Sequence, residues 1–288
     1  MQKETEINNN TLKAIKERLH EWTQNATYEV FPDPRVLPYF ENTNPNGGNI
    51  SVTASHKAPI EASLSIALQI ADYGRNVTAH LPAKSIRDLS HLEEIGGVLL
   101  YKNINRIFVV GGDLPKPEGD FTTAMDLLNG IKKVGLKFEK IGVAGYPEGH
   151  NFISKENIEK AIFEKQKFAL ESKTDMYVVT QMCFNPKAVN DWVVGLRQKG
   201  LTLPVISGVV GPVNLVTLAK FAARVGFTDS ANFLKKIDLS KELTKEATKN
   251  YKPDKMVDDL VTKNAVEGLH IYTFNEVKAA NEWVKAKQ

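Results

Sequence analysis

One cysteine, Cys183, stands in a chain of 288 residues. An intramolecular disulfide is therefore impossible, and a cysteine-rich zinc site is excluded. A reducing compartment, the cytoplasm, is the expectation that follows. Charge of one sign is also scarce. The 37 Lys and Arg against 34 Asp and Glu leave a net +3, too small and too dispersed to make nucleic acid the main partner. No apolar run approaches the ~18 residues of a membrane span, so no membrane association is expected. The opening stretch, MQKETEINNN, is polar and lacks the apolar centre of a secretory leader. What remains is ordinary for a folded chain: 42% hydrophobic and 25% charged residues. At this length the core needs no covalent staple.

Thr11 is placed to cap a first helix running to about Trp22, with Leu12, Ile15 and Leu19 at helical spacing and Asn8 to Asn10 frayed before it. A rhythm of short apolar strands and helices then sets in. The strands are Thr27 to Phe31, Asn49 to Thr53, Asn76 to His80, Arg106 to Val110, Lys140 to Tyr146, Met176 to Gln181, Pro204 to Ser207 and Gly268 to Thr273. Helical patterns follow nearly all of them: Ile60–Tyr73, Ser85–Tyr101, Phe121–Val134, Ser154–Leu170, Pro186–Lys199, Val213–Val225 and Asn275–Lys285. A longer helical stretch, Ser230–Glu267, has a joint near Pro253 and a solvated face of Lys235, Lys236, Lys241, Lys245 and Lys249. Several strands are near-continuous apolar runs, as strands buried on both faces are. Eight β/α units in this length predict a single-domain (β/α)8 barrel over residues 1–288, with an extra N-terminal helix. The rival, an open doubly wound sheet, lacks its Gly-x-Gly-x-x-Gly turn after the first strand.

In such a barrel the chemistry sits at the C-terminal ends of the strands. The polar residues there are Glu29, Thr53, Ser55, His80, Asp113, Tyr146, Glu148, His150, Gln181, Ser207, Asn214, Tyr272 and Asn275. Alternation puts Thr27, Glu29 and Phe31 on one strand face. A carboxylate on the packed inner face suits a general acid; the other reading is a structural carboxylate paired with Lys or Arg. Gly111-Gly112-Asp113 either lets backbone approach a flat or phosphorylated ligand or makes a tight turn in which Asp113 caps the next element. Tyr146 and His150 either meet a ring and a phosphate or are solvated turn residues. His56 and His80 are further contact candidates. No set of acidic and histidine residues has metal-ligand spacing, so no catalytic metal is expected. Cys183 reads as a buried thiol.

These pieces, in order, resemble the methylenetetrahydrofolate reductase family. They are Tyr28-Glu29-Val30-Phe31-Pro32, Val52-Thr53, His80-Leu81, Gly112-Asp113-Leu114-Pro115, Ala144 to His150, Thr180-Gln181 with Phe184, Pro204 to Asn214, and His270-Ile271-Tyr272-Thr273-Phe274-Asn275. The resemblance implies a (β/α)8 barrel that binds FAD and reduces 5,10-methylenetetrahydrofolate to 5-methyltetrahydrofolate with NADH or NADPH. It makes Glu29 and Asp113 catalytic: Glu29 protonates the leaving nitrogen, and Asp113 stabilises the cation and bonds the pterin. Thr53, His80, Gly112, Asp113, Tyr146, His150, Lys167 and Tyr272 become cofactor contacts. Glu29, Asp113, Gln181 and Asn214 become contacts to the tetrahydrofolate substrate. Departures fall on the cofactor-phosphate side: Gly111 replaces a common Arg, Lys160 beside Glu159 stands where an acidic contact is frequent, and Leu215 replaces an aromatic. The alternatives this leaves are a flavin-independent reaction, a tetrahydrofolate-linked methyl transfer or demethylation, or a non-catalytic folate- or flavin-binding subunit. Oligomeric state is left open, a homo-oligomer included. The resemblance covers the catalytic barrel of a bacterial-type member, with no regulatory domain expected after it.

Overall fold

A computed structural model describes residues 2–43, 48–55, 57–218 and 250–288. Eight parallel strands close into a barrel: β1 Thr27–Val30, β2 Asn49–Val52, β3 Asn76–Pro82, β4 Arg106–Val110, β5 Lys140–Gly145, β6 Met176–Thr180, β7 Val205–Val210 and β10 Leu269–Tyr272. They pair in chain order, and β10 closes on β1 with Glu29 beside Tyr272. A two-stranded antiparallel ribbon, β8 Val213–Asn214 and β9 Asn250–Tyr251, stands beyond the end of β7. The helices are α1 Gln2–Gln24, α2 Leu37–Glu41, α3 Ile60–Asp72, α4 Leu89–Tyr101, α5 Ala124–Lys133, α6 Lys155–Ser172, α7 Pro186–Gln198, α8 Asp254–Lys263 and α9 Val277–Lys285. The (β/α)8 expectation holds, including the added N-terminal helix.

Strand alternation divides the core in two. Ile50, Val52, Val77, Ala79, Leu81, Ile107, Val109, Ile141 and Val143 face the helices and are buried. Each large aliphatic side chain buried there contributes about 1.5–3 kcal/mol. The residues between them face the barrel axis, and there Ser51, Thr78, His80 and His270 are buried polar groups. Polar side chains in a packed barrel must find partners or a ligand. That requirement builds the site.

The helix ends follow from local chemistry. Asp88 caps α4 through the His91 amide. Thr123 and Asp126 form a reciprocal capping box at α5. Asn185 caps α7, with Pro186 at its first position.

Three sequence expectations are corrected. α1 begins at Gln2, so Thr11 lies inside the helix and Asn8 to Asn10 are helical. Tertiary packing overrides the weak local signal: Ile15 and Leu19 pack on the core, Trp22 is buried, and Arg18 donates to the Val261 carbonyl of α8. Val213 and Asn214 form β8, where the β-branched Val213 is buried in a satellite cluster with Met182, Val210 and Leu218, and the helix expected from about Val213 starts at Leu215, its course past Leu218 lying outside the described residues. The helix expected from Ser85 starts at Leu89, after a 3-10 turn at Ala83–Ser85. The Ser230–Glu267 expectation and its lysine face fall largely outside the described residues. Its described end, α8, starts after Pro253, where the joint was expected. His56 also lies outside them.

Candidate active site

Glu29 sits in the short β1, and its main chain is clamped at the exit of β10. Thr273 donates both its hydroxyl (2.6 Å) and its amide (3.3 Å) to the Glu29 carbonyl. Asn275, at φ 68, presents its side-chain oxygen to the Phe31 amide at 2.8 Å. The left-handed backbone that Asn tolerates better than most residues turns the chain at this point.

Among the described residues, the Glu29 carboxylate pairs with no Lys or Arg. Its Oε2 lies 2.8 Å from His270 Nε2 and 3.7 Å from His80 Nε2. His80 Nε2 is 2.8 Å from Ser51 Oγ, and its ring packs on Phe108 with centroids 4.7 Å apart. Burial pushes His80 down to about 4, against the pull of Glu29, so its imidazole is neutral at pH 7. The His270 ring meets Tyr272 edge-on at 5.2 Å.

Tyr272 reaches across β7 to donate its hydroxyl to the Thr180 carbonyl of β6 at 3.0 Å. Gly208 permits the crossing: a Cβ there would stand 2.6 Å from the Tyr272 ring and 2.4 Å from the Thr180 carbonyl oxygen. Burial, and then the charge of Glu29, pushes the Tyr272 phenol well above the ordinary tyrosine range. Next to Thr180, Gln181 is buried, and both its amide oxygen and its amide nitrogen lack a partner among the described residues. A buried amide with nothing to bond costs roughly 1–3 kcal/mol. A polar ligand in the mouth removes that cost.

On the opposite side Asp113 follows Gly112, whose φ is +91. Asp113 is exposed, and it does not cap α5, because Thr123 does. Burial, and then the charge of Asp113, raises the Tyr146 phenol. The two therefore share the mouth. Tyr146 and His150 meet edge-on at 5.0 Å, and His150 meets the exposed Phe152 at 5.9 Å. Glu148 accepts the Phe184 amide at 3.3 Å and ties the β5 and β6 exits together. Thr53 is half-buried at the end of β2. Asn214 lies in β8, where its side-chain oxygen accepts the Val216 amide at 2.8 Å.

Lys167 is not brought to this group. It is exposed, it pairs with Glu171, and it lies roughly 18 Å along α6 from the helix start. Lys160 is also exposed and pairs with Glu164, while Glu159 pairs with Lys199. The buried lysine of α6 is Lys165, held down to about 8 by desolvation, with no hydrogen-bond partner among the described residues. The sequence reading passed over His270 and Ser51 as site residues. His270 carried a signal all the same, as the polar residue two before Tyr272 on the inward face.

A closed (β/α)8 barrel with a histidine-held carboxylate inside it, an aspartate at its rim and an orphaned amide between them defines a barrel protein with an enzyme-type mouth. The comparisons name its kind. The sequence profile described as Methylenetetrahydrofolate reductase matches residues 40–288, and the chain belongs to that family. It is 30% identical over 193 residues to Methylenetetrahydrofolate reductase 2 of Saccharomyces cerevisiae, covering 62% of this chain and 31% of that protein. It is 23% identical over 304 residues to a probable methylenetetrahydrofolate reductase (NADPH) of Caenorhabditis elegans, covering 94% and 43%. It is 26% identical over 191 residues to methylenetetrahydrofolate reductase (NADH) 1 of Arabidopsis thaliana, covering 62% and 32%. The chain spans less than half the length of these curated relatives.

The family implies a flavin, and the residues present fit its flat end. Gly112 carries no side chain, and Tyr146 and His150 offer an aromatic edge. Lys160 and Lys167 of α6 are exposed and pair within their own helix, with Glu164 and Glu171.

Proposed function

We propose that the chain reduces 5,10-methylenetetrahydrofolate to 5-methyltetrahydrofolate with electrons from NADH or NADPH. The observation that carries the reading is Glu29: a carboxylate inside the barrel, hydrogen-bonded to His270 and with no Lys or Arg partner among the described residues. Its protonated form donates to the leaving nitrogen of the five-membered ring as that ring opens to an iminium cation. Asp113 lies at the rim, where its charge opposes the positive charge developing on the pterin side. The Gln181 amide bonds the pterin edge, and Asn214 borders the same side. The phenols of Tyr146 and Tyr272 stay protonated and act as donors.

FAD would be held by Thr53, His80, Gly112, Tyr146, His150 and Tyr272, and when bound it would supply hydride relay between the nicotinamide and the folate. A second reading has the nicotinamide deliver hydride to the iminium directly. The outward Lys160 and Lys167 favour it, because α6 then need hold no pyrophosphate.

One spectrum separates the readings. Purified protein with FAD added is expected to hold a visible flavin band that NAD(P)H bleaches without oxygen and methylenetetrahydrofolate restores. Protein that holds no flavin yet forms 5-methyltetrahydrofolate from NAD(P)H supports the direct route. Protein that does neither removes the reductase reading.

A further inference from the structure

Among the described residues, the polar partners of the Glu29 carboxylate lie at one oxygen. Oε2 carries the 2.8 Å bond to His270 Nε2, with His80 Nε2 at 3.7 Å. Oε1 has no partner among the described residues, and the side chain keeps 13% of its surface exposed. The carboxyl group is thus divided into a held oxygen and an available one. His270 itself is 4% exposed, wedged against Tyr272, whose hydroxyl is anchored on Thr180. The donor is therefore rigid, and so is the direction of its bond.

We propose that His270 is the positioning residue of Glu29: its Nε2–H holds Oε2, so that Oε1 is the oxygen that delivers the proton. The proposal rests on the reductase reading and deepens it. Before transfer, Oε2 is the carbonyl oxygen of a neutral acid, and His270 makes an ordinary hydrogen bond to it. The Oε1–H bond then breaks, its proton goes to the leaving nitrogen of the folate, and the electron pair stays on the carboxylate. Charge now spreads onto Oε2, and the same hydrogen bond becomes charge-assisted, roughly twice as strong. An interaction that strengthens along the reaction lowers the barrier, whereas one of constant strength does not.

His80 does not compete for this role. Its Nε2 lies beyond hydrogen-bond range of Oε2 and is occupied by Ser51. The titratable groups around the pair are Glu29 on β1, His80 on β3, Tyr272 on the same strand as His270, and Tyr146 and Cys183, both of which act on Tyr272.

The test compares His270→Gln with His270→Leu in the full chain. Gln can present a side-chain N–H to Oε2; Leu cannot. With loss of the N–H, kcat at pH 7 is expected to fall about tenfold or more. The high-pH limb of the kcat profile should also move upward, since the carboxylate is no longer favoured over the acid. In His270→Gln, kcat should fall no more than about threefold and the limb should stay in place. Equal losses in both variants with an unmoved limb would reduce His270 to a packing residue and overturn the proposal.

A readout without turnover covers a Leu variant that fails to fold. Long-range 1H–15N spectra of the imidazole rings are expected to place a His270 ring proton on Nε2. A proton on Nδ1 alone overturns the proposal whatever the activity, because Nε2 then has nothing to donate. A wild-type chain with the Nε2–H tautomer but no reductase turnover overturns instead the reading beneath it, and the catalytic role falls with that reading.

Discussion

His80 makes the barrel sensitive to acid, and the effect can be worked out. Its imidazole is buried on the inner face of β3 and titrates at about 4 against 6.5 when free, with burial as the main cause. The folded state thus binds its proton less readily than the unfolded chain does. Stability from this group is fully present above about pH 6.5 and is lost as the pH falls through about 4. At pH 5 the loss is about 2 kcal/mol, and below pH 4 it approaches about 3 kcal/mol. The assay is urea unfolding of wild type and His80→Gln at pH 7.5, 6, 5 and 4.5. Other groups titrate in both proteins, so the quantity of interest is the difference between them. His80→Gln costs stability at pH 7.5, through its altered bond to Ser51, but its deficit should shrink by about 2 kcal/mol on going to pH 5. A wild-type-minus-variant difference that does not change with pH would refute the reasoning, since it would mean that His80 protonates in place without strain.

Three further outcomes follow from the same structure. Lys165 is buried and held to about 8 by desolvation, so at pH 7 its charge burdens the folded state. Lys165→Met should stabilise the protein by roughly 1–3 kcal/mol at pH 7, with the gain shrinking as the pH rises through about 8 toward 10.5, as read by thermal melts across that range. Gly112→Ala places a Cβ 2.9 Å from Pro82 Cβ at a φ of +91; about 1–3 kcal/mol of stability and most of any flavin binding should be lost, measured by unfolding and flavin titration. Asn275→Ala removes the bond to the Phe31 amide and should cost about 1 kcal/mol, with KM for the folate rising as the β1 exit loosens.

The barrel was legible because parallel strands buried on both faces leave apolar runs, and because each run ends in polar residues that the helices cannot cover. Strand edges shifted by a residue or more, as at Pro82 and Val210, where pairing with the next strand extends the ladder. The partners of Glu29 were not legible. His270 lies 241 residues away in the chain, and only closure of β10 on β1 brings it within 2.8 Å. Lys167 was misplaced for a smaller reason. Two residues turn a helix by roughly 200°, so a short shift in phase exchanges the buried Lys165 for the exposed Lys167. The ribbon of β8 and β9 was invisible because its strands are two residues each and 35 residues separate them.

The account turns on Glu29 as the acid, and one experiment addresses it directly. Formation of 5-methyltetrahydrofolate from methylenetetrahydrofolate and NAD(P)H would be followed in wild type and Glu29→Gln, with folate affinity measured alongside. The account predicts product from the wild type, a loss of about 10²–10⁴-fold in rate for the variant, and folate binding that survives. Turnover by Glu29→Gln at the wild-type rate would contradict it.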